Sequence, residues 1–137
     1  MRVWRPLADK KNAKAQFGMG VLYDNGLGVL HDDAEAIKWF QKAAHQGHPE
    51  AQFNLGNMYR KGVGAVQDYA EALRWYRKSA QQEMALARIQ VGSMYRRGQG
   101  VPQNYAEALK WYRKAAQQES APAQLLIGIM YKQASPI

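Results

Sequence analysis

Apolar and polar positions alternate along this chain in a pattern that predicts pairs of helices. Between Ala51 and Lys61, small or apolar residues fall at Ala51, Leu55, Gly56, Met58 and Tyr59, the spacing of one helix face. Gly62 and Gly64 follow, and glycine just past a helix end supplies the left-handed cap. A second amphipathic run then carries Ala72, Leu73, Trp75, Tyr76, Ser79 and Ala80 on one broad face. It opens at Asp68 with Glu71 three residues on, close to a capping box in which the cap side chain and the acid satisfy unpaired backbone N–H groups. Asp32 with Glu35 and Asn104 with Glu107 repeat the arrangement. Pro49 and Pro122 stand at or near the starts of later first helices, where a missing N–H costs little.

The chain overlays on itself at a step of 36 residues. Residues 51–86 and 87–122 agree at 22 of 36 positions without a gap. Gly20, Gly56, Gly92 and Gly128 keep the step, as do Tyr23, Tyr59, Tyr95 and Tyr131, and Trp39, Trp75 and Trp111. Self-similarity at this period marks stacked helix pairs, each burying its apolar face against its neighbours. The expected division is a partial helix of a preceding repeat (1–14), three repeats (15–50, 51–86 and 87–122), and the first helix of a fourth with a tail (123–137). The fold class is therefore all-α, an α/α superhelical solenoid forming one domain. Mid-helix glycine costs about 1 kcal/mol relative to alanine. Its recurrence implies a repeated gain, the close approach of a tryptophan or tyrosine from a neighbouring helix.

These residues carry a family pattern. Ala51, Leu55, Gly56, Tyr59, Gly62, Gly64, Asp68, Ala72, Trp75, Tyr76, Lys78 and Ala80 together resemble the Sel1-like repeat, a longer relative of the tetratricopeptide repeat. The departures are mild: Ala65 for valine, Asn104 for aspartate, and Glu83 and Glu119 where Gly47 keeps a glycine. The resemblance implies a non-catalytic scaffold or adaptor, in a family found mostly in bacterial envelope or signalling complexes. By analogy with tetratricopeptide arrays it also implies that variable positions of the first helices face a concave surface. Those positions are Phe17, Val21, Asp24 and Asn25, then Phe53, Asn57, Arg60 and Lys61. The third unit supplies Ile89, Ser93, Arg96 and Arg97, and the fourth Leu125, Ile129, Lys132 and Gln133. Such a face is apolar at one end of each helix and basic at the other, which suits a peptide with apolar anchors and acidic groups. Cations in a last helical turn also complement the helix dipole, for roughly 0.3–1 kcal/mol each. Arg60, Lys61, Arg96 and Arg97 thus have a structural reading beside the binding one.

Composition adds limits. Hydrophobic residues make up 47% of the 137, enough for a core, and there is no cysteine, which excludes disulfides and thiolate-bound metals. The net charge is +8, with +4 of it in residues 1–14. A basic balance favours acidic partners, and a nucleic-acid-associated protein is the alternative function, although no reader motif is present. No stretch approaches the roughly 18 apolar residues of a membrane span. Gly26 with Gly28, Gly62 with Gly64 and Gly98 with Gly100 read as helix stops, since no Lys-Ser/Thr completes a phosphate loop. His31, His45 and His48 read as surface loop residues, and Ser79, Ser93, Ser120 and Ser135 lie in no nucleophile motif. Trp39, Phe40, Trp75, Tyr76, Trp111 and Tyr112 read as core, not as a base-stacking ladder. No catalytic residue, metal site or cofactor is expected.

The two ends carry their own expectations. Residues 3–14 align at the same step with the stretch from Trp75 to Leu86, placing Trp4 where Tyr76 stands. This reads as the last half of a second helix in an N-terminally shortened chain. Location is then cytoplasmic as written, without a signal peptide, and periplasmic or secreted if an upstream segment has been lost. At the other end, Leu125, Leu126, Ile127, Ile129 and Met130 make the last helix apolar almost all round. An exposed patch of that kind marks an interface, and self-association through the terminal helices is expected.

Overall fold

The computed structural model describes residues 12–26, 31–118 and 120–134. Of the N-terminal piece, residues 1–11 lie outside the described residues, and Asn12 caps the helix that follows. The described residues form seven helices and no strand: α1 (Ala13–Asn25), α2 (Asp33–His45), α3 (Pro49–Lys61), α4 (Tyr69–Ala80), α5 (Ala85–Arg97), α6 (Tyr105–Ala116) and α7 (Ala121–Ala134). Each packs mainly on its chain neighbours. The most extensive contacts lie within a helix pair, α1 on α2, α3 on α4 and α5 on α6, and α2, α4 and α6 each pass on to the next pair.

The helix ends follow the sequence signals, with one difference. The side chains of Asp32, Asp68 and Asn104 accept from the backbone N–H of Glu35, Glu71 and Glu107 at 3.1, 3.0 and 3.0 Å. The reciprocal half of a capping box is not made. The N–H groups of Asp32, Asp68 and Asn104 donate instead to the carbonyls of Tyr23, Tyr59 and Tyr95, at 3.1, 2.9 and 2.8 Å. The first helix of each repeat thus supplies the acceptor that the acid would have offered. Glu71 is left to take the indole N–H of Trp75 at 3.2 Å. The first helices stop at Gly62 and Gly98, whose φ values of 71° and 69° are the left-handed backbone that a Cβ disfavours. Gly28 lies outside the described residues.

The core repeats with the sequence. One ring from each second helix enters the glycine gap of the first: Phe40 at Gly20, Tyr76 at Gly56 and Tyr112 at Gly92. A Cβ built on those glycines would lie 2.6, 2.7 and 2.7 Å from the ring atoms. All three rings are fully buried, and burying such a side chain stabilises by about 1.5–3 kcal/mol, more than the glycine costs. The ring in the gap is the residue after each tryptophan, not the tryptophan. One position along a helix is a turn of about 100°, so Trp75 joins the cluster that holds Ile37 of the preceding repeat and Leu55 and Met58 of its own. Lys42, Lys78 and Lys114 lie over the faces of Trp39, Trp75 and Trp111, at 4.3, 4.7 and 4.6 Å. The fourth glycine departs from the expectation: a Cβ on Gly128 would meet nothing within 4 Å.

Polar ties run at the same period. Gln46 donates to Gln16 at 2.7 Å, Gln82 to Gln52 at 2.9 Å, and Arg88 to Gln118 at 2.8 Å, joining the start of each first helix to the end of its second. Between repeats, Gln41 donates to the Tyr59 hydroxyl at 3.2 Å, and Arg77 and Arg113 donate to Tyr95 and Tyr131.

Candidate partner-binding face

Two adjoining cavities open along the first helices of repeats one and two. The larger, about 470 Å³, is lined by Phe17 of α1, Pro49 and Phe53 of α3, Met84, and Leu86 of α5. The smaller, about 200 Å³, lies toward the helix C-termini and is lined by Asp24, Asn57, Lys61 and Val63. Asn54 borders both. Phe40 and Met58 also line the smaller cavity, and Glu50 and Gln82 the larger.

The packing beneath fixes the apolar end. The Phe17 ring is 5.8 Å from Phe40 and stacks on His48 at 4.8 Å, and Phe53 lies 5.7 Å from Tyr76. His48 is not a loop residue. It is the N-cap of α3, and its Nδ1 accepts the Ala51 N–H at 3.1 Å. Burial holds its pKa below the ordinary 6.5, against the opposing pull of Glu50. His45 closes α2 and meets Trp75 edge-on at 5.2 Å. His31 is exposed and pairs with Asp33 at 2.7 Å. Asp24 approaches this pair, with one ligand-capable atom of each residue within 4.8 Å of the others.

At the polar end the candidate residues divide. Arg60 donates through Nε to the Tyr76 hydroxyl at 3.0 Å, and that hydroxyl donates to Asn57. Burial pushes the Tyr76 phenol above its usual pKa, and the hydrogen bond and charge of Arg60 oppose the rise. Arg60 and Asn57 are thus half committed to holding the ring in the Gly56 gap. Lys61 and Arg97 are exposed, and no carboxylate among the described residues pairs with either. Arg96 is half-buried. Ser93 is buried, its hydroxyl 2.7 Å from that of Tyr112, and Ile89 is buried beside the same ring. These two serve the core of the third repeat and do not open to solvent. In the fourth unit, Leu125, Lys132 and Gln133 are exposed and Ile129 is half-buried. Asn54, Met84 and Leu86 were not among the sequence candidates. The available signal was Leu86, half exposed at the place where the preceding unit carries Glu50.

The Sel1 repeat model matches residues 13–48, 49–84 and 85–120, each match opening on the first residue of a first helix. The chain belongs to the Sel1 repeat family. Among solved structures it is similar to a Sel1 repeat protein from Oxalobacter formigenes, at 44% identity and TM-score 0.86, over 93% of this chain and 53% of that one. It is also similar to c5321, a protective antigen of uropathogenic Escherichia coli displaying the same fold, at 37% identity and TM-score 0.93, over 98% of this chain and 29% of that one. The chain thus spans about half and under a third of those two lengths. Helicobacter pylori cysteine rich protein B shares the fold alone, at 18% identity and TM-score 0.70, over 90% of this chain and 93% of that one. Comparison with curated proteins gives no match. Sel1 repeat proteins generally act as protein–protein interaction scaffolds and not as catalysts. No helix among the described residues is long and apolar enough to cross a membrane.

Proposed function

We propose that this Sel1 repeat protein is a non-catalytic scaffold that holds a peptide or protein segment along its first helices, with apolar anchors and acidic groups on the ligand. The observation that carries this reading is the pair of cavities bridged by Asn54, apolar where Phe17, Phe53 and Leu86 meet and polar at Asn57 and Lys61. Solenoids present such extended inner faces to their partners. The exposed cations Lys61 and Arg97, one repeat apart, supply charge for an acidic ligand. Arg60, Arg96 and Lys132 border the same ends of their helices.

An array of fluorescent peptides, pairing two apolar anchors with a block of acidic residues, tests the reading by polarisation. Selected peptides should bind, and Lys61→Glu with Arg97→Glu should weaken binding by at least tenfold, equivalent to about 1.4 kcal/mol. Phe53→Ser should abolish the contribution of the apolar anchors. A full array without binders, or binders indifferent to both changes, overturns the proposal. Preference for single-stranded oligonucleotides over every peptide, with steep salt dependence, would favour the nucleic-acid alternative.

A further inference from the structure

Repeat one departs from the other two at three positions that stand together in space. In repeats two and three these are Arg60, Gln67 and Tyr69, and Arg96, Gln103 and Tyr105. There the glutamine closes the turn between the two helices. Gln67 donates through Nε2 to the Arg60 carbonyl at 2.8 Å and to the Tyr69 hydroxyl at 3.3 Å. Gln103 does the same with Arg96 and Tyr105, at 2.8 and 3.1 Å. Repeat one carries Asp24, His31 and Asp33 instead, so one positive charge gives way to two negative ones and an imidazole. The glutamine clasp is not made here among the described residues, and His31 Nε2 lies 2.7 Å from Asp33 Oδ1. The Asp24 carboxylate has no ion pair among the described residues, although Lys61 lines the same cavity.

The backbone that gathers the three side chains is common to every repeat. The Asp32 N–H donates to the Tyr23 carbonyl at 3.1 Å, as Asp68 does to Tyr59 and Asn104 to Tyr95. Asp24 follows that acceptor in the chain, and His31 and Asp33 flank the donor. The next repeat holds the start of α2 in place, because the Asp33 carbonyl lies 2.6 Å from where a Cβ on Gly64 would be. One ligand-capable atom of each residue then lies within 4.8 Å of the others. Donor atoms around one zinc ion stand about 3.0–3.5 Å apart, given bonds of about 2.0–2.2 Å. The His31 and Asp33 side chains are 61% and 36% exposed, so rotation about their χ angles can close that difference. We propose that Asp24, His31 and Asp33 bind one divalent first-row transition-metal ion of the zinc type at the turn between α1 and α2. Two carboxylates neutralise its charge, and imidazole selects this class over calcium and magnesium, which take oxygen ligands. Three protein donors leave a position for water. The ion ties the end of α1 to the start of α2, the connection that glutamine makes in the other two repeats. Joint replacement of all three positions carries the inference beyond proximity alone. An exposed three-donor site binds more weakly than a closed four-donor one, with Kd on the order of 10 μM.

Isothermal titration calorimetry of zinc into the metal-free 137-residue chain tests the proposal. One ion per chain should bind. Repeats two and three supply the variants: Asp24→Arg, His31→Gln and Asp33→Tyr together give repeat one the residues that repeat two carries, so the fold should tolerate them. The triple variant should lose zinc binding altogether, and His31→Gln alone should weaken it at least tenfold. His45→Gln, a histidine outside the site, should bind as the parent does. Zinc at about twenty times Kd should raise the parent Tm by about 6 °C and leave that of the triple variant unchanged. Should the triple variant unfold, His31→Gln decides, since it changes one exposed side chain. No heat and no Tm shift with zinc at up to about a hundred times that Kd overturn the proposal. So does zinc binding that survives both site variants at parental strength, or that is lost in His45→Gln. Calcium that displaces zinc at equal concentration would mean that the imidazole is not a ligand, and overturns it as well.

Discussion

The glycine gaps make a prediction with an internal control. Gly56→Ala and Gly128→Ala place the same methyl at the same register, two repeats apart. At Gly56 the new Cβ lies 2.7 Å from two carbons of the Tyr76 ring and 3.2 Å from the Ala72 carbonyl. Relaxed carbon contacts are 3.5–4.0 Å, so the ring would have to retreat by about 0.8 Å. Tyr76 is fully buried and its hydroxyl is tied to Arg60 and Asn57, so retreat disrupts both. Overpacking of this kind costs about 1–3 kcal/mol, and the contacts on two sides put it near the top of that range. The gain in helix propensity, about 1 kcal/mol, leaves a net loss of about 2 kcal/mol. At Gly128 the propensity gain stands alone, because nothing lies within 4 Å. For 137 residues the unfolding entropy is about 0.29 kcal/mol/K, so 1 kcal/mol moves Tm by about 3.5 °C. Gly56→Ala should lower Tm by about 7 °C and Gly128→Ala should raise it by about 3.5 °C. Circular dichroism melts at low micromolar concentration give the comparison. A Gly56→Ala protein that melts at or above the parent, or a Gly128→Ala protein that melts well below it, refutes the account of the gaps.

Other consequences can be checked in parallel. Because burial lowers the His48 pKa, the unfolded chain takes up the proton first as pH falls below 6.5. Stability is then intact above about pH 6.5 and declines as pH drops toward the folded value; His48→Ser, which keeps a cap acceptor, should flatten that slope in urea titrations from pH 7 to 5. The Ser93–Tyr112 hydroxyl pair is buried at 2.7 Å, and a Ser93→Ala, Tyr112→Phe double-mutant cycle should yield about 0.5–1.5 kcal/mol of coupling. A coupling near zero would mean that the two hydroxyls do not depend on each other. Asp68→Ala removes the side-chain acceptor at the start of α4 and should cost about 1 kcal/mol, read as a lower urea midpoint with unchanged m-value.

Much of this architecture is legible in the sequence because every repeat solves the same packing problem. Trp39, Trp75 and Trp111 recur because the second helices share one face, and Gly62 and Gly98 recur because the first helices stop in one way. The phase within that face is less legible. Trp75 and Tyr76 are adjacent and both apolar, and only the rotation of α4 against α3 decides that Tyr76 enters the Gly56 gap. Features that occur once were hidden. His48 caps α3 with an imidazole nitrogen, a role more often given to Ser, Thr, Asp or Asn, and Gly47 and Pro49 around it point to a loop. On the candidate face, Phe17, Phe53 and Lys61 line the cavities. Ser93 varies between units like a contact residue, yet it varies because Tyr112 carries a hydroxyl that Phe40 lacks. Variation among repeats records internal partners as well as external ones.

Each helix packs mainly on the one before and the one after it in the chain. No segment has to wait for a distant one to be made. A helix pair has its packing partner as soon as the next 18 or so residues have left the ribosome, about one to four seconds at ordinary synthesis rates. Folding can begin at any repeat and spread outward. The loop-closure penalties that slow sheet proteins scarcely arise. The first repeat made exposes its apolar flank only until the second arrives, so the time a flank stays bare is set by the length of one repeat and not by that of the whole protein.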